Sequence, residues 1–166
     1  MYIPPAFPPS FFHSLAEGLG RYTFTPPRRE ASPLSPVHYY SAVYIEFDPE
    51  QITYEDLLDV FFSTHDPTTL NRQGADQGTQ YRSIILYVND DQKQRAEDFV
   101  VKLDESRTLG NPVVTEIVPL EVFYEAEPEH RQFYMENPDS MYCQIVIRPK
   151  VAKVREKFAQ KISSKN

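Results

Sequence analysis

Hydrophobic and polar positions fall into order from residue 43, where Val43, Ile45 and Phe47 alternate with Tyr44 and Glu46 until Asp48-Pro49 breaks the run. A period of two is the spacing of a half-buried strand. Thr53 and Asp56 then stand three apart as a capping box. Tyr54, Leu57, Leu58, Phe61 and Phe62 follow at helical spacing, which predicts a helix ending near His65-Asp66-Pro67. Thr68 to Gln80 is polar, carries Gly74 and Gly78, and reads as an ordered loop before a strand over Ile84–Val88. Asn89-Asp90-Asp91 caps a second helix, with Ala96, Phe99, Val100 and Leu103 on one face and Gly110-Asn111-Pro112 beyond its end. A third strand is expected over Val113–Val118, bounded by Pro119, then a short helix over Glu127–Glu136 and a fourth strand over Tyr142–Ile147. Val151, Val154, Phe158 and Ile162 line one face of a last, basic helix. Strands alternating with helices over short connections predict one sheet covered by helices, in a two-layer α+β or α/β domain.

Residues 1–42 lack this order. Eight of the fifteen prolines lie there, too densely for helix or sheet, although Phe11–Leu19 has room for one short helix. The expected organisation is a proline-rich, mostly irregular arm over 1–42 and a domain over 43–166. A chain of 166 residues buries enough surface to need no staples. The single cysteine, Cys143, closes no bridge within the chain, which fits the cytoplasm or another reducing compartment. No apolar run approaches the ~18 residues of a membrane span, and the N-terminus does not read as a signal peptide. The formal charge of −7 disfavours nucleic acid and acidic membrane surfaces. Against that balance, the last eighteen residues hold Lys150, Lys153, Arg155, Lys157, Lys161 and Lys165 with Glu156 as the only acid.

Chemistry is concentrated between His65 and Ser83, a polar segment held between a helix end and a buried strand. Tyr81 offers a phenol donor, and Asp76, if partly buried, a carboxyl able to donate as well. Two such donors suit a substrate oxygen that gains negative charge. The plainer reading makes Gly74–Gly78 a turn, with Asp76 bonding its own backbone, and Tyr81 a core aromatic. Cys143 on an apolar strand likewise reads first as an inert core residue. No metal ligand set of zincin type, phosphate-binding glycine loop or serine-nucleophile motif occurs. Glu125, Glu127 and Glu129 read as a solvated helix start rather than a cation site.

Longer strings narrow the choice. His65-Asp66-Pro67-Thr68, Leu70-Asn71-Arg72-Gln73-Gly74 and Asp76-x-Gly78-Thr79-Gln80-Tyr81-Arg82-Ser83 occur in succession, with Val114-Thr115-Glu116-Ile117, Phe123-Tyr124-x-Ala126-Glu127, His130-x-Gln132-x-Tyr134, Asn137-Pro138 and Tyr142-Cys143 after them. From about Val43 to Ile147 the chain resembles the A-type peptide methionine sulfoxide reductases. These are oxidoreductases of protein repair under oxidative stress, acting on the S epimer of methionine sulfoxide in proteins and as the free amino acid. The resemblance implies an α+β domain with a two-layer mixed sheet. It also implies a mechanism in which a cysteine thiolate attacks the sulfoxide sulfur, methionine leaves, and the resulting sulfenic acid condenses with a second cysteine. Thioredoxin, or a small dithiol, then reduces the disulfide, and no metal or other cofactor is implied. Residue by residue, Asp76 and Tyr81 match the positions that hold and help protonate the sulfoxide oxygen, and Cys143 matches a common recycling thiol.

The departures concern the nucleophile. Family members open with Gly-Cys-Phe-Trp-Gly, the cysteine at a helix N-terminus and the aromatics caging the substrate methyl. These 166 residues contain no tryptophan and no cysteine before Cys143. The usual first strand and helix, and the glycine-rich turn with its tyrosine, are expected to be missing as well. The expectation is a chain inactive by itself, or a relative that binds methionine sulfoxide without reducing it. The abrupt change near residue 42 also fits a replaced first exon in a gene whose other form is an active reductase. An apolar sheet left without its first elements is expected to be marginally stable.

Overall fold

The computed structural model describes residues 22–25, 42–50, 52–121 and 136–157. The helix expected over Phe11–Leu19 lies outside them, as does that over Glu127–Glu136 except for its last residue, which is helical. Strand β1, Tyr22–Thr25, lies within the proline-rich segment and pairs antiparallel with β2, Ala42–Ile45, so part of the arm is ordered as a strand. It is not legible from the local pattern, since Pro26 and Pro27 directly follow it. β2 ends where Asp48 turns its carboxylate to the Glu50 N–H at 2.9 Å.

Helix α1, Tyr54–Thr64, starts on the expected capping box. Asp56 N–H donates to Thr53 Oγ1, and Thr53 N–H donates to Asp56 Oδ2, both at 3.2 Å. Its periodic residues Leu57, Leu58, Phe61 and Phe62 are buried and form the centre of the core. Two short strands follow, β3 (Arg72–Gln73) and β4 (Asp76–Gln77), paired antiparallel as a hairpin, then a 3-10 turn over Thr79–Tyr81. β5, Ile84–Tyr87, and β6, Glu116–Pro119, pair in parallel, with α2, Asp90–Ser106, as the crossover between them. Asn89 caps α2, accepting from the Gln92 N–H at 2.8 Å. Arg95 on α2 is held by Glu55 of α1, its Nε 2.6 Å from Oε1, and lies 5.4 Å over the Tyr54 ring.

The third strand starts three residues later than its sequence suggests. Val113 and Val114 are β-branched, but their N–H groups donate to Asp104 Oδ1 and Pro67 O at 2.9 Å each, tying down α2 and the loop before the ladder begins. The fold class is α+β, with parallel and antiparallel pairing both present. Among the described residues the strands are distributed over three two-stranded sheets.

The fourth strand, expected over Tyr142–Ile147, is helical instead. Cys143–Ile147 form a π-helical segment that runs into α3, Arg148–Lys157. Ser140 begins it: Cys143 N–H donates to Ser140 Oγ at 3.2 Å, and Gln144 N–H to Ser140 O at 3.0 Å. The local β-branched residues lose to a longer-range pattern. Cys143, Ile147 and Val151 recur every four residues, are all buried, and continue backwards the apolar stripe expected to start only at Val151. Pro149 has no N–H and would clash with the carbonyl four residues back in a regular helix. The wider π turn, in which Arg148 N–H reaches Cys143 O, precedes it and relieves the ladder there.

Candidate functional site

The segment after α1 is fixed by side-chain bonds at almost every step. At its start, His65 Nδ1 lies 2.7 Å from Phe61 O, which can only accept, so Nδ1 carries the proton and Nε2 accepts from the Ser83 hydroxyl at 2.7 Å. Ser83 Oγ in turn lies 2.7 Å from Thr115 Oγ1, so one chain of bonds joins the end of α1 to the starts of β5 and β6. Burial pushes the His65 imidazole down to about 4, with nearby Lys150 adding to the fall and the Phe61 carbonyl and Asp66 opposing it. Asp66 Oδ1 accepts from the Thr68 N–H at 2.9 Å and the Thr68 hydroxyl at 2.7 Å, which lowers the carboxyl below its usual range. Gln73 bridges back to the Asp66 backbone, donating to its O at 3.1 Å and accepting from its N–H at 3.0 Å.

This clamp presents the β3–β4 hairpin, with Gly74 at φ 61° in its turn. Gly78, at φ 138°, follows it where a Cβ would collide with the Gln80 side chain. Its N–H donates to Asn71 O at 2.9 Å, and Tyr81 N–H closes on Gly78 O at 3.0 Å. Arg82 fastens the end of the loop, donating to Glu116 Oε2 at 3.1 Å and to Thr79 O at 2.7 Å. The loop is therefore ordered, as its sequence led us to expect.

A cleft of about 670 Å³ opens between this hairpin and the last helix, lined by Thr64, His65, Asp66, Gln73, Gly74, Ala75 and Asp76 on one side and Tyr142, Lys150 and Lys153 on the other. Asp76 is exposed at the hairpin tip, so the partial burial invoked for a donating carboxyl is not met there. Tyr81 is half-buried at the end of the 3-10 turn and does not line the cleft itself. Tyr142, 47% exposed, connects the groups: burial of its other half raises the phenol above its ordinary range, and Asp76, Cys143 and Tyr81 add to the rise. Asp76, Tyr81, Tyr142 and Cys143 thus share one electrostatic neighbourhood.

Cys143 is in the first turn of the helical segment, not on a strand, and its side chain is fully buried in the apolar cluster that contains Leu57, Phe61 and Ile147. Sequence reasoning missed Lys150 and Lys153 as cleft residues, because the sequence marks them only as part of a basic last helix. Ser140 was the available signal: a helix start there carries both lysines through to the cleft side. Among the described residues, no group of three or more His, Cys, Asp or Glu side chains is placed to hold a metal ion. No helix among them is long and apolar enough to cross a membrane.

Comparison with known proteins places the chain in a family. The sequence profile described as peptide methionine sulfoxide reductase matches residues 30–162, starting inside the proline-rich arm. A peptide methionine sulfoxide reductase MsrA of Natronomonas pharaonis is 44% identical over 146 residues, covering 88% of this chain and 82% of that protein. The MsrA proteins of Deinococcus radiodurans and Sulfolobus acidocaldarius are 50% and 55% identical over 73% of this chain, which spans 59% and 68% of their lengths. Among solved structures, reduced Mxr1 of Saccharomyces cerevisiae superposes with a TM-score of 0.65 at 28% identity, covering 80% of each chain. Methionine sulfoxide reductase A of Corynebacterium diphtheriae gives 0.66 at 28%, covering 84% of this chain and 74% of that one. The fold is that of an α+β oxidoreductase domain. The chain belongs to the peptide methionine sulfoxide reductase family.

Proposed function

We propose that this chain binds methionine sulfoxide, in peptides or as the free amino acid, and does not reduce it by itself. The observation that carries the reading is the state of the only thiol: Cys143 has no exposed surface and is packed among aliphatic and aromatic side chains. A thiolate must reach the sulfoxide sulfur to attack it, and a side chain with no exposed surface leaves no path of approach. In the family reading, Tyr81 donates to the sulfoxide oxygen and Asp76 stands at the mouth of the cleft, with Tyr142 beside them. Thioredoxin is the family's reductant and becomes relevant only if a nucleophile is supplied.

One observation favours a second reading. Cys143 lies in the first turn of a helix and directly follows the cleft residue Tyr142, so a small opening of that turn would bring the thiol towards the cleft. In that reading Cys143 is the nucleophile, not a recycling thiol. One assay separates the two. With a methionine-S-sulfoxide peptide and either dithiothreitol or thioredoxin as reductant, no turnover above buffer is expected. Turnover that disappears in Cys143→Ser would overturn the non-catalytic reading. Saturable peptide binding is expected alongside, weakened about tenfold in Tyr81→Phe by loss of one hydrogen bond to a polar oxygen. Equal affinity in both forms removes Tyr81 from the site.

A further inference from the structure

We propose that the outer edge of β4 holds the ligand's backbone: the N–H and C=O of Gln77 pair with the residue that precedes methionine sulfoxide in an extended peptide. The inference rests on the binding function proposed above and specifies its ligand as a peptide, held by main chain as well as by the oxidised side chain. It starts from the register of the hairpin. Arg72 stands opposite Gln77 and Gln73 opposite Asp76, and the Gly78 N–H donates to Asn71 O at 2.9 Å. Hydrogen-bonded and open pairs alternate along an antiparallel ladder, so Asn71–Gly78 and Gln73–Asp76 are the bonded pairs, and Arg72 and Gln77 turn their N–H and C=O groups outwards. The C=O of Arg72 does so visibly, accepting from the Thr69 hydroxyl at 2.8 Å. That edge is closed by Thr69 and by Gln73, which reaches back to the Asp66 backbone. The β4 edge is open: Asp76 and Gln77 are both exposed, and the N–H and C=O of Gln77 have no partner among the described residues.

One outward donor and one outward acceptor on a single residue match one residue of an extended chain running antiparallel, which exchanges both bonds with Gln77. The next residue of that chain then stands opposite Asp76, and directly opposed residues carry their side chains on the same face. Asp76 lines the cleft, so methionine sulfoxide at this position has its side chain on the cleft side of the hairpin. Beyond Gln77 the backbone passes through Gly78 into the 3-10 turn that ends in Tyr81, so the pairing edge lies between the two residues that the family reading assigns to the sulfoxide. A strand of two residues offers one such pairing position, which fixes one ligand residue by its main chain and leaves that residue's side chain unspecified.

The test is calorimetric titration of the full chain with acetyl-Ala-Met(O)-amide, its two singly N-methylated forms and the unoxidised acetyl-Ala-Met-amide. Methylating the alanine nitrogen removes the N–H that donates to Gln77 O, and binding should weaken about fivefold. Methylating the Met(O) nitrogen removes an N–H that points away from β4, and the loss should be clearly smaller. On the protein side, Gln77→Pro deletes the outward N–H at an edge position where proline breaks no ladder bond. It should bind the parent peptide about fivefold more weakly than Gln77→Ala, which keeps the N–H. The methylated ligands leave the chain untouched and decide the matter alone if Gln77→Pro loses its fold. Equal affinity for the parent and the N-methylalanine peptide overturns the edge assignment, as does a loss confined to the other methylation. A loss in Gln77→Ala as large as in Gln77→Pro assigns the contact to the side chain and overturns it too. If these hold while oxidised peptide is still preferred over reduced, the sulfoxide site stands without the edge. An alanine-methylation loss that is the same for oxidised and reduced peptide keeps the edge and removes the sulfoxide reading, and absence of all binding overturns both.

Discussion

His65 carries more of this site than its place at the end of a helix would suggest. It is neutral because Nδ1 donates to a carbonyl, Nε2 accepts from Ser83, and burial penalises the cation. Its folded pKa of about 4 is below the ordinary 6.5, so the unfolded chain takes up a proton that the folded chain refuses. The stability this supplies is complete above about pH 6.5 and is lost as pH falls to about 4, a change of roughly 3 kcal/mol for a shift of this size. Urea unfolding of wild type and His65→Gln at intervals from pH 7 to pH 4 checks this: the wild type should lose more stability across that window than the variant. Parallel pH profiles would show that His65 is not the titrating group. The Ser83 hydroxyl between His65 and Thr115 was visible in the sequence only as one polar residue before a strand. Nothing in its local pattern marks a partner 32 positions away.

At the scale of elements, α1 and α2 were legible because cap and stripe agree. Thr53 and Asp56 start the first helix, Asn89 starts the second, and the apolar residues after each recur every three or four positions. The 143–157 helix was misread at its start because Ile145, Val146 and Ile147 have strand propensity, while the decisive facts, burial of Cys143 and Ile147 against α1, are tertiary. The hairpin at 72–77 was legible as a loop but not as strands, since two-residue strands have no periodicity to read. Asp76 and Tyr81 were reachable through the resemblance rather than through spacing, and the cleft lysines through neither. If Ser140 is the cap that decides the helical state, Ser140→Ala should cost about 1 kcal/mol in urea unfolding while Ser140→Asp costs little. Equal losses in the two variants would place the helix start elsewhere.

For the molecule as a whole, one cluster joins elements far apart in sequence: Ile45 from β2, Phe61 from α1, Ile85 from β5, Ala96 from α2, and Cys143 and Val151 from the last helix. Both walls of the cleft are backed by it, so cleft and core are expected to fail together. Phe61→Ala, which empties a fully buried ring, should destabilise by about 3–5 kcal/mol and abolish peptide binding in the same denaturant range in which helix content is lost. Binding lost well before helix content, as urea is raised, would show that the cleft opens as a separate unit.

The wide turn ahead of Pro149 has a consequence for how such chains diverge. It holds one residue more than regular winding and takes up that surplus within the turn itself. Removing a single amino acid between Cys143 and Ile147 would close the turn to ordinary winding and leave the residues after it in their present phase, whereas removing one beyond Pro149 would swing the rest of the helix by about 100°. The wide turn is thus the place where this helix can lose a residue and keep Val151 in the core, and Pro149, which then meets the carbonyl four residues back, is the side chain such a descendant must also exchange.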